Sequence, residues 1–264
     1  MNGLTAIISK ISNRAFTFIL FASLFCSQLC FAQTSPRVHT TNTNAWLMYF
    51  GNHKFSDDFG IHAEIQWRRH SYLSDPQQLL LRFGLDYYLT ERERITVGYG
   101  FIKTFPYGEF AVANAFPEHR IWQQFQTAQT FSKFKLNHRF RLEQRMIGNA
   151  STGEFEGGRF ENRFRYMAKG TFDLTKGEGP LYIAMYEELF VNFGPDVGYN
   201  LFDQNRLYGA LGLPVSKAIK IEVGYLYQVV QLRSLDVGVP PKNKIEDNHT
   251  LQLAVFSNLS LVKE

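Results

Sequence analysis

Apolar and polar residues alternate along most of this chain with period two. That is the repeat of an extended strand, whose successive side chains point to opposite faces. In DFGIHAEIQWRR (58–69), Phe59, Ile61, Ala63, Ile65 and Trp67 alternate with His62, Glu64, Gln66 and Arg68. In QLLLRFGLDYYL (78–89), Leu79, Leu81, Phe83, Leu85, Tyr87 and Leu89 share one face, and Gln78, Leu80, Arg82, Gly84, Asp86 and Tyr88 the other. RITVGYGF (94–101) sets Ile95, Val97, Tyr99 and Phe101 against Thr96, Gly98 and Gly100. The pattern predicts a first strand near 44–52 and, after these three, others near 118–130, 134–148, 158–170, 180–193, 204–213, 217–233 and 248–260.

The connections alternate too. TERE (90–93), SKF (132–134) and PVSKA (214–218) are tight, whereas 105–117, 149–158, 194–203 and 234–247 are long and rich in Gly, Pro, Asn and Asp. Short turns at one end and long loops at the other describe an up-and-down meander.

Alternation by itself does not say which face meets water. NHRFRLEQRM (137–146) puts Arg139, Arg141, Glu143 and Arg145 on one face and Phe140, Leu142 and Met146 on the other. A soluble barrel buries the apolar face; a membrane barrel turns it to lipid. The strands read as roughly 11 to 15 residues, against about five or six in globular sheets and about nine to eleven needed to cross a bilayer. Aromatic residues gather near strand ends, as interfacial girdles do. The expectation is therefore an all-β protein, an antiparallel up-and-down transmembrane β-barrel. Eleven strands are legible, but single-chain bacterial barrels carry even numbers, so twelve strands are expected, with ten as the alternative.

The first residues agree with export. Lys10 and Arg14 precede the apolar run AFTFILFASLFC (15–26) and SQLCFA, which ends at Ala32; this is the pattern of a signal peptide, 1–32, and the run is short for a transmembrane helix. Residues 33–43 read as a short N-terminal segment and 44–264 as the barrel. Cleavage would remove Cys26 and Cys30, the chain's 2 cysteines, along with Lys10 and Arg14, taking the net charge from +4 to +2. A near-neutral chain gives no reason to expect a nucleic-acid partner. The expected surroundings are outer-membrane lipid, reached through the barrel-assembly machinery, with any small-solute ligand unknown.

EHRIWQQF (118–125), NHRFRLEQR (137–145), NRFRY (162–166), EELFVNFG (187–194), DQNRLYGALG (203–212), GYLYQ (224–228) and NHTLQL (248–253) resemble, in order, segments of a family of small exported proteins known as domain of unknown function 2490. The likeness covers about 45–260. It implies an outer-membrane β-barrel and no activity, ligand or catalytic residue.

With the apolar faces toward lipid, the charges point into the lumen: Arg68, Arg82, Glu118, Arg120, Arg139, Arg141, Glu143, Arg145, Glu161, Arg163, Arg165, Glu188 and Arg206. Two roles fit. A narrow barrel can be filled by its own side chains, with arginines and glutamates on neighbouring strands pairing to plug the lumen and fix the register. Alternatively, nine arginines against four glutamates line a narrow pore that favours anions. A soluble periplasmic barrel with an apolar ligand inside is the other class of reading. A lipid-modifying hydrolase at the rim is a third, with His119, His138 and His249 as candidates, but no serine nucleophile motif accompanies them, and hydrogen bonding at the membrane interface suits them better. No Walker loop, HExxH, CxxC or calcium loop is present, so no enzyme activity, cofactor or metal is expected. The carboxylates of GPD (194–196), FDQN (202–205) and KIEDN (244–248) read as solvated loops, and Gly98 and Gly100 as room for bulky lumen neighbours.

Overall fold

The computed structural model describes residues 36–177, 179–237, 241–260 and 262; the expected signal peptide lies outside them. The described chain forms β1 (Arg37–Lys54), β2 (Phe59–His70), β3 (Asp75–Tyr88), β4 (Glu93–Thr104), β5 (Phe116–Phe131), β6 (Phe134–Ile147), β7 (Arg159–Asp173), β8 (Tyr182–Phe193), β9 (Phe202–Pro214), β10 (Ile219–Asp236) and β11 (Lys242–Ser257). Each strand pairs antiparallel with the next, and β1 closes the barrel against β11.

Closure with eleven strands corrects the expected twelve. In a meander with an odd number of strands, the first and last run the same way, so the seam must be parallel. β1 and β11 pair in parallel without a slip from Arg37↔Asn243 to Gly51↔Ser257. No edge remains for a further strand.

Two boundaries also differ. β1 begins at Arg37, so most of the expected N-terminal segment is strand, and 234–247, expected as a loop, is mostly strand as well. The cause is shared. β1 pairs with β2 only from Ala45 onward, and β10 pairs with β9 only as far as Val230, while β1, β11 and β10 continue to pair with one another. The three form a flap that rises past the rim, with Thr40, Asn42 and Glu246 buried on its inner face. The loops after β2, β4, β6, β8 and β10 share this rim; the turns after β1, β3, β5, β7 and β9 share the other. The length asymmetry holds for 105–115 and 148–158 but not for the tight turn 71–74.

Exposure follows the alternation. Phe83, Leu85, Val97, Leu211, Val223 and Leu251 are exposed on the outer face, while Glu64, Arg82, Glu143, Arg163 and Glu188 are buried on the inner one. An apolar interior, which the soluble ligand-carrier reading needs, is not what the chain builds. Inside, Trp46, Met48, Tyr208, Ala210, Leu226 and Ala254 pack together as an apolar cluster. Glycines make room for the largest rings inside. A Cβ at Gly98 would run into the Phe83 carbonyl oxygen and stand 2.7 Å from the Trp122 indole.

Candidate functional site

All thirteen charged residues named from the sequence lie on the inward face, and twelve of them are buried, Arg139 being half-buried. Strand alternation puts them there; register decides who meets whom. Glu143 on β6 is the hub. Its carboxylate lies 3.0 Å from Arg82, 2.5 Å from Arg163, 2.8 Å from Arg165, 3.9 Å from Arg120 and 4.0 Å from Arg141. Glu188 on β8 accepts from Arg139 and Arg165, each at 2.6 Å. Glu118 accepts from Arg120 and, at 2.7 Å, from Arg145. Glu161 pairs with Arg145 at 3.3 Å, Arg159 at 2.6 Å and Arg233 at 3.1 Å.

Several contacts cross the lumen instead of running along its wall. Arg82 on β3 reaches Glu143 on β6, Arg163 on β7 reaches Asp203 on β9 at 2.7 Å, and Lys169 on β7 reaches Glu222 on β10 at 2.7 Å. Arg141 on β6 stands 3.9 Å from Glu64 on β2, lies over Trp122 at 4.8 Å and donates to Gln124 at 2.8 Å. Spokes of this kind fill the middle of a narrow barrel.

The sequence reading missed part of the acid side. Glu64, Asp86, Asp203, Glu222 and Glu246 are all buried on the inward face. Among the described buried residues the count is eight arginines against nine carboxylates. The expected arginine excess is therefore absent from the buried wall as a whole. Glu64 and Asp86 already sat on the polar parity of their strands, so that signal could have found them. Asp203 and Glu246 were read as solvated loop residues because FDQN and KIEDN look like loops; in fact both lie in strands and face inward.

The long-loop mouth is crossed by 105–115. Tyr107 donates to Glu246 at 2.9 Å, Thr40 donates to Glu109 at 2.8 Å, and Lys244 sits 5.1 Å from the Phe110 ring. Burial, ahead of the nearby Glu246 charge, pushes the Tyr107 hydroxyl pKa above its ordinary value, so it stays a donor. Beneath the loop lies a cavity of about 210 Å³.

The three histidines face outward, each beside a tyrosine on the neighbouring strand. His119 meets the Tyr99 hydroxyl, His249 meets that of Tyr225, and His138 lies 2.9 Å from that of Tyr166. Their Nδ1 atoms are thus engaged by phenols, an arrangement suited to the polar margin of an apolar belt. Among the described residues no cluster of His, Cys, Asp and Glu could hold a metal ion.

The family model described as "Protein of unknown function (DUF2490)" matches residues 43–237. An uncharacterized protein of Methylorubrum extorquens is 25% identical over 241 residues, covering 88% of this chain and 96% of its own. No solved structure matches.

Proposed function

This chain belongs to the DUF2490 family, and we propose that it is an integral outer-membrane β-barrel whose lumen is sealed by its own ion pairs. The observation that carries the reading is the inversion of the two faces: exposed Phe83, Leu85, Val97 and Val223 outside, buried Glu64, Arg82, Glu143 and Arg163 inside. In water the outer belt would be an apolar surface far larger than soluble monomers carry; against acyl chains it needs no further partner. Strands of 12 to 18 residues are long enough to cross a bilayer with a tilt. The signal-like N-terminus fits delivery to the envelope and insertion by the barrel-assembly machinery.

The sealed lumen is preferred to an anion-favouring pore because of the cross-lumen spokes and the balance of buried charge. The reading assigns the protein no catalytic step. Cell fractionation tests it. The protein is expected in the outer-membrane fraction, with a gel mobility that changes on boiling, as a detergent-resistant barrel gives. Recovery in the soluble periplasmic fraction with no shift would overturn it. In planar bilayers the native protein is expected to pass little current.

A further inference from the structure

Most of the buried lumen arginines have a carboxylate at close range. Arg82, Arg145, Arg163 and Arg165 each have one at 2.8 Å or nearer, and Arg120 is paired with Glu118. Arg68, Arg141 and Arg206 do not, and of these Arg68 and Arg206 open onto the cavity beneath the 105–115 loop.

Arg68 has no carboxylate within 4.0 Å among the described residues. It donates to amide oxygens, to Gln66 at 2.9 Å through Nε and to Gln78 at 2.8 Å through Nη1. Among the described residues the carboxylate in reach of Arg206 is Glu188, at 3.9 Å, and it already accepts from Arg139 and Arg165. With the Gln228 amide turned so that its oxygen faces Arg206, Nε and Nη2 each lie 3.2 Å from it. Both guanidinium groups sit over the same indole, Trp46, at 4.1 and 5.3 Å. Arg68 and Arg206 are 9% and 7% exposed. Two full charges have left water for neutral partners, a costly arrangement unless a counter-charge joins them.

The cavity is where a counter-charge could sit. The buried wall balances overall, yet this chamber does not: eight arginines line it against two carboxylates, Glu118 and Asp203. At about 210 Å³ it has room for about seven waters at roughly 30 Å³ each. Guanidinium forks match the paired oxygens of an oxyanion better than a spherical halide.

We propose that the chamber beneath the Tyr107 loop is a binding site for a small oxyanion, held by Arg68 and Arg206. The site requires only the lumen geometry, so it stands apart from the membrane setting proposed above.

The test uses the full mature protein refolded in detergent, with inorganic phosphate as probe and chloride replacing it at constant ionic strength. Phosphate is expected to raise the melting temperature in step with the logarithm of its concentration above Kd, by roughly 5–10 °C at a hundredfold excess over Kd. Arg206→Gln and, independently, Arg68→Gln are expected to abolish the rise, while Arg139→Gln, outside the chamber, keeps it. Phosphate binding to the native protein by equilibrium dialysis, expected near one per chain, gives a reading should neither chamber variant fold. Equal melting in phosphate and chloride, a rise that survives in both chamber variants, or no retained phosphate on dialysis would overturn the proposal. Fractionation failure would sink the membrane reading and leave this one intact.

Discussion

At the scale of single residues, Glu143 has the strongest claim to hold the interior together, because five arginines lie within 4.0 Å of its carboxylate. Glu143→Gln keeps the shape and removes the charge, leaving buried cations uncompensated. Removing one partner of a buried pair costs about 3–5 kcal/mol, and a loss of that size is expected in denaturant unfolding of the refolded barrel; a change within about 0.5 kcal/mol would mean that the hub is dispensable. Arg141 offers a contrasting case. Its carboxylate contacts are long, 3.9 and 4.0 Å, and it acts mainly as a spoke across the lumen. Arg141→Ala is therefore expected to raise ion leakage through planar bilayers more than it lowers stability, and unchanged conductance would remove it from the seal.

At the scale of elements, the strands are largely legible in the sequence. Nine of the eleven strands begin and end within a few residues of the period-two prediction, all but β1 and β11, because a barrel wall exposes one parity to one environment along its whole length. The thirteen lumen charges followed from that parity. Their partners followed only in part: Glu143 with Arg163 and Glu161 with Arg145 pair across neighbouring strands as expected, but Arg163 also reaches Asp203 across β8 and Lys169 reaches Glu222 across two strands, and alternation within a strand is silent about contacts across a lumen. Parity also hid Trp46 and Trp122, apolar residues on the polar face that fill the interior, although Gly98 marked the space for Trp122. Two substitutions probe the two faces of the wall. Leu81 faces outward, between inward Leu80 and Arg82, and pairs with Ile65 and Phe101. Leu81→Arg is expected to cost about 2–4 kcal/mol near the bilayer midplane and to reduce the folded, heat-shifting fraction. Gly98→Ala drives a Cβ into the Phe83 carbonyl and the Trp122 indole, and a cost of about 1–3 kcal/mol is expected; unfolding curves matching the native protein would mean that strand and indole both have room to move.

For the whole molecule, the parallel β1–β11 seam puts the start of β1 and the end of β11 at opposite rims. The even-number rule misled here because it is a habit of bacterial barrels and not a condition of closure; a parallel seam hydrogen-bonds all the same. With the long loops outside the cell, Pro36→Cys is expected to react with a membrane-impermeant maleimide in intact cells, and Asn258→Cys only after permeabilisation. Labelling of both from the same side would contradict an eleven-stranded crossing. The central claim remains that the apolar face meets lipid and the charged face does not. The protein's 3 tryptophans are placed to test it, since Trp67 is 44% exposed on the outer face while Trp46 and Trp122 are buried in the lumen. The measurement is fluorescence quenching in vesicles whose lipids are brominated near the headgroup end of the acyl chain, comparing the native protein with Trp67→Phe. Partial quenching in the native protein that disappears in Trp67→Phe is the predicted result. No quenching in the native protein, or equal quenching in both, would contradict the inverted barrel.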